Sequence, residues 1–194
     1  VTTMAVSTGL LVFFTYSWYR LLPRILRGMG ATDSQIGMSY TLITLAQTLL
    51  QYPGGLLGDR FGRKLMICAP GAVFGTAYIL SGITNSWQVV VGCAAVVAGC
   101  NALQAPSFTA IITESAGPRA RGIALSIYQT SVSAALALGP AAGVVLCKWV
   151  SPRVLMIATG LCSYAVSVWR WLCLSETSAP RTSSSGTINW QSVR

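Results

Sequence analysis

Between Lys64 and Glu114 the chain runs 49 residues without a single charged side chain. A bilayer crossing by a helix takes about 20 predominantly apolar residues, so this run is long enough for two crossings. Thr84-Asn85-Ser86 is its one plausible turn. Four further uncharged stretches, 1–19, 34–58, 122–147 and 154–169, have the length of one crossing each, the first and last with help from flanking residues. The pattern predicts an all-α, polytopic membrane protein with six transmembrane helices. The spans fall at about 4–26, 36–57, 65–83, 87–112, 122–147 and 154–174. Composition agrees: 9% of the 194 residues are charged and 53% are hydrophobic, with a mean hydropathy of +0.62. A soluble domain carries about 25% charged residues, and a disordered one lacks this much apolar side chain.

A formal net charge of +9 in a soluble protein would point to nucleic acid, but here most cations flank apolar spans. Lipid headgroups and topology account for them, and nucleic acid is not an expected partner. The six cysteines lie in or beside apolar spans without Cys-x-x-Cys spacing, and there is no histidine. They read as small packing residues, so neither a disulfide framework nor a metal site is expected. Without histidine there is no Ser-His or Cys-His pair. There is also no Gly-Lys-Ser phosphate loop and no paired carboxylate in sequence reach, so no enzyme and no cofactor are expected.

The connectors are short and make neighbouring spans antiparallel. Thr32 and Gln35 have the spacing of a reciprocal cap at the start of the second span. Cation counting sets the orientation. One face collects Arg60, Arg63, Lys64, Arg119, Arg121, Arg170, Arg181 and Arg194, and the other Arg24, Arg27, Lys148 and Arg153. The positive-inside rule then puts both termini in the cytoplasm of a plasma or inner membrane. Residues 175–194, rich in Ser and Thr, read as a disordered cytoplasmic tail or linker. Small residues four apart, Gly54/Gly58, Gly58/Gly62, Gly71/Gly75 and Gly139/Gly143 around Pro140, are places where helix backbones can approach closely in lipid.

Uncharged polar side chains fall in stripes. Gln47 and Gln51, Asn101 and Gln104, and Gln129 and Ser133 are spaced at one helical turn. Facing lipid would be costly, so they point to helix–helix hydrogen bonds or to a water-filled solute pathway. Arg20 is the one charge clearly inside a span, with Tyr16 four residues earlier on the same face. It either snorkels to the headgroups or binds an anionic group of a solute.

The most specific string is Gly55-Leu56-Leu57-Gly58-Asp59-Arg60-Phe61-Gly62-Arg63-Lys64. It resembles the signature loop between the second and third helices of major facilitator superfamily transporters, at every fixed position. Glu114, followed by Arg121-Gly122, has the acid–arginine spacing of that superfamily's loop between helices four and five. Gly139-Pro140-Ala141-Ala142-Gly143 is similar to its antiporter motif, although Val144, Ala135 and Ser126 stand where glycines would be. Ala95, four before Gly99, occupies the position of an arginine tied to proton coupling in antiporters.

The resemblance implies the N-terminal six-helix half of a twelve-helix carrier. Such a chain works by alternating access with a C-terminal half or a second copy of itself, moving a small solute, anionic if Arg20 binds it. It also implies that Asp59 latches the two halves, that Arg60 or Arg63 pairs with Glu114, and that spans one, two, four and five line the pathway. No Asp, Glu or His lies inside a span to relay protons. The other reading that the residues leave open is a non-transporting scaffold or a channel-like bundle.

Overall fold

In the computed structural model the described residues are 2–61 and 63–173, without the side chains of residues 59, 61, 63 and 118. They form an all-helical bundle: α1 (Thr2–Tyr19), α2 (Leu22–Gly28), α3 (Asp33–Phe61), α4 (Arg63–Ile83), α5 (Trp87–Ser115), α6 (Gly117–Leu146) and α7 (Pro152–Cys173). Four of these helices, α4 to α7, are long and apolar enough to cross a membrane. The expected tail at 175–194 lies outside the described residues.

Among the described residues there are seven helices where six were expected, and the difference lies in the first span. Pro23 has no N–H and its ring would collide with the carbonyl of Tyr19, four residues back. The helix therefore ends at Tyr19, and Arg20 and Leu21 form a turn in which the Leu21 N–H reaches the Trp18 carbonyl at 2.8 Å. Pro23 then sits in the first turn of α2, where a missing N–H has no cost.

Helix ends run past the uncharged cores. Asp59 and Arg60 fall in the last turn of α3, and Arg63 and Lys64 open α4, so most of the expected signature loop is helical; Gly62 lies outside the described residues. The α5–α6 turn is short. It passes through Gly117 at φ 68°, a left-handed conformation that glycine adopts without a steric penalty. At the start of α3 the reciprocal cap is present: the Thr32 N–H donates to Gln35 Oε1 (2.9 Å) and the Gln35 N–H to Thr32 Oγ1 (3.4 Å). Arg27 also reaches Asp33 across this connector at 2.6 Å, but both side chains are exposed and such a pair adds little.

The bundle is built from three closely packed helix pairs, α1 with α6, α3 with α5, and α4 with α7. Each pair meets through small residues. A Cβ on Gly143 would run into the Ser17 carbonyl oxygen of α1, and one on Gly139 would fall 3.0 Å from that of Phe13. In α3, Gly54 lies against the Leu103 backbone and Gly58 against Ser107 of α5. Gly71 and Gly75 of α4 face Ser167 and Tyr164 of α7, where the Ser167 hydroxyl donates to the Cys68 carbonyl and the Thr76 and Tyr164 hydroxyls meet at 2.7 Å. Lipid tails are as apolar as leucine, so close approach and such hydrogen bonds, rather than hydrophobic exclusion, hold membrane helices together.

Trp18 ties the pairs together. It is buried, donates its Nε1–H to Thr159 Oγ1 of α7 at 3.0 Å, and meets Tyr78 of α4 edge-on with ring centroids 5.5 Å apart. The main core around it includes Leu22, Leu26, Phe74, Val97 and Met156.

Candidate functional site

A cavity of about 460 Å³ opens along the bundle, within the range of small-molecule sites. Its wall draws on α1 (Thr8, Thr15, Tyr16), α3 (Ile43, Gln47), α5 (Asn101, Gln104, Phe108, Thr109) and α6 (Tyr128, Gln129). Phe74 and Tyr78 of α4 and Ser163 and Arg170 of α7 also line it. Amides, hydroxyls and aromatic rings thus face one space inside an apolar bundle, the mixture from which a site that orients a small molecule is made.

Helical spacing explains why α5 contributes most. Asn101, Gln104, Ala105 and Phe108 recur at three and four residues and so share one face. Gln104 is buried and donates its Nε2–H to Asn101 Oδ1 at 2.9 Å, while its Oε1 has no partner. Phe108 stacks on Tyr128 of α6 with centroids 6.1 Å apart and planes 25° apart. Gln47, Asn101 and Gln129 line the cavity yet are exposed at its open side.

Of the residues singled out from the sequence, Tyr16, Gln47, Asn101, Gln104 and Gln129 come together on this wall. Gln51 is exposed one turn beyond Gln47, outside the lining. Arg20 lies exposed at the α1–α2 turn with its guanidinium 5.9 Å from the Tyr16 ring centroid, also outside the lining.

At the opposite end of the bundle, Gly55 has open space around it and Arg121 is exposed. Arg60 and Glu114 are exposed and each is engaged by a partner. Lys64 places its ammonium 4.9 Å from the Trp171 ring centroid. The side chains of Asp59 and Arg63, like Gly62, lie outside the described residues. Among the described residues no cluster of His, Cys, Asp or Glu could hold a metal ion.

One lining residue has a place that the cation count did not give it. Arg170, assigned from the sequence to the cytoplasmic face, is 3% exposed. Its Nε donates to Ser7 Oγ (2.9 Å) and its Nη2 to Thr8 Oγ1 (2.8 Å), both on α1, and its guanidinium lies 5.0 Å from the centroid of the Phe108 ring. A cation near a span end reads as a surface residue. The available signal was that Arg170 falls on the α7 face carrying Ser163 and Val166, which turns inward.

Comparison with known proteins places the chain in context. Residues 4–194 match the family model described as Major Facilitator Superfamily. A 64-residue stretch, 32% of the chain and 14% of the relative, is 36% identical to the inner membrane transport protein YajR of Escherichia coli. A 124-residue stretch, 63% of the chain and 32% of the relative, is 24% identical to the quinolone resistance protein NorA of Staphylococcus aureus. The chain thus spans a third or less of the length of these curated relatives.

Proposed function

The chain belongs to the Major Facilitator Superfamily, and on that premise we propose that it carries a small solute across a membrane by alternating access, as one half of a two-bundle carrier. In this reading α1 and α2 together form the first of six spans and α3 to α7 the rest. The cavity then lies at the midplane, where two repeats meet. The observation that carries it is the polar, aromatic cavity open on one side. Gln47, Asn101 and Gln129 are exposed on that side of a bundle made for lipid, where an uncovered amide is costly. A second bundle, either a C-terminal half or another copy of this chain, would cover them and complete the site.

The two short turns at the other end, α3–α4 and α5–α6, belong to the cytoplasmic gate in this scheme. Asp59 would reach the second bundle, and Arg60 or Arg63 would pair with Glu114 in the state closed to the cytoplasm. The pair Gly139 and Gly143, flanking Pro140, would keep α6 against α1 as the bundle rocks. With no carboxylate or imidazole inside a span, ion coupling would reside in the second bundle, or the carrier would run downhill.

Reconstitution of the full-length gene product into proteoliposomes tests the reading. Uptake that saturates with concentration and discriminates between solutes is the expected result. Flux that stays linear would mean a channel-like bundle, and no flux across a broad solute panel would mean a scaffold; either outcome overturns the carrier.

A further inference from the structure

Arginine does not shed its proton in a protein, and a buried charge is tolerated only with a counter-charge or dense hydrogen bonding. Arg170 is buried among neutral groups. Its two bonds go to the hydroxyls of Ser7 and Thr8, and its face lies on Phe108. Among the described residues it forms no ion pair. A guanidinium has five N–H donors, so the two hydroxyls leave donors for whatever fills the cavity that Arg170 lines.

A second unmet group stands close by. Gln104 and Phe108 are four apart on α5, one turn and about 6 Å along the helix axis. Gln104 is 5% exposed, and its Oε1 is buried without a donor. One wall therefore offers a cationic donor without a counter-charge among the described residues and, on the same lining, an acceptor lacking a donor. The stacked rings of Phe108 and Tyr128 lie alongside.

We infer that these groups form a subsite for a small organic anion: its carboxylate docks on Arg170, its body lies against Phe108 and Tyr128, and a hydroxyl or N–H at its far end donates to Gln104 Oε1. The inference rests on the transport reading in taking this cavity as the solute's place, and it names the class of solute.

Three probes of one shape test it on the full-length gene product purified in detergent, with binding measured by equilibrium dialysis at neutral pH. 4-Hydroxybenzoate has both the carboxylate and a far hydroxyl about a helical turn away; benzoate lacks the hydroxyl, and 4-hydroxybenzamide lacks the charge. The expected result is saturable binding of 4-hydroxybenzoate, with each of the others about tenfold weaker. Gln104→Leu should abolish the preference over benzoate and keep the preference over the amide. Arg170→Gln should do the reverse, and Arg170→Lys should retain a preference for the acid.

Equal binding of acid and amide by the unaltered protein, as when a carboxylate elsewhere in the protein already neutralises Arg170, overturns the subsite. So does absence of binding by all three probes. Because the comparison of probes is made on the unaltered protein, a variant that fails to fold does not remove the test. Flux measured in parallel separates the two readings. Selective anion binding without flux keeps the subsite and removes the carrier; saturable flux of a neutral solute with no preference for the acid does the opposite.

Discussion

At the scale of single residues the tightest constraint is the contact between Gly143 and Ser17. No side chain fits there, because a Cβ would enter the Ser17 carbonyl. Gly143→Ala should therefore force α6 away from α1 and cost about 1–3 kcal/mol, read as a lower unfolding temperature in detergent. Gly122→Ala, on the same helix with nothing within 4 Å, should leave that temperature unchanged or raise it. Equal losses at both positions would mean that the α1 contact does not set the effect. The four-residue spacing of Gly139 and Gly143 was legible in the sequence, as were the amides of the cavity wall. Their partners were not: Ser17 is 126 positions from Gly143, and Ser7 lies 163 positions from Arg170. Sequence spacing says which residues of one helix share a face; it does not say which other helix that face meets.

At the scale of elements the uncharged stretches fall largely within helices, because a span needs length and apolarity and both are written along the chain. The Thr84-Asn85-Ser86 turn and the Thr32–Gln35 cap follow from equally local chemistry. Two things were missed. Helices continue into charged segments, since a helix end in water keeps its hydrogen bonds regardless of hydropathy, and the first span breaks. Pro23 is the cause of the break, with the Leu21 N–H turning back to the Trp18 carbonyl in place of a regular bond. Pro23→Ala restores an N–H that can reach the Tyr19 carbonyl. Hydrogen exchange of the peptide covering residues 19–25 should slow as α1 and α2 join, while peptides within α4 and α7 keep their rates. Unaltered exchange in the 19–25 peptide would mean that packing of Leu22 and Leu26 in the core, rather than the proline, holds the turn.

For the whole molecule the orientation in the membrane decides which end would carry the proposed gate. α5, with 29 residues, is about 43 Å long, more than the ~30 Å hydrocarbon core, which is length enough for its two ends to emerge on opposite sides. The α3–α4 and α5–α6 turns share one end, and the α2–α3, α4–α5 and α6–α7 connectors the other. Burial of Arg170 removes it from the cation count that set the orientation, which narrows the margin. What remains is the clustering of Arg60, Arg63 and Lys64 with Arg119 and Arg121 beside two very short turns, and the rule weighs cations in short connectors most. In a cysteine-free background of the full-length protein, Asn85→Cys and Trp149→Cys, both at exposed positions, should react with a membrane-impermeant maleimide in intact cells. Ser115→Cys, exposed at the end of α5, should react only after permeabilisation. The inverted pattern would place Asp59 and Glu114 outside the cell and move the gate to the other face. Labelling of all three from one side would mean that α5 does not cross, and the carrier would fall with it.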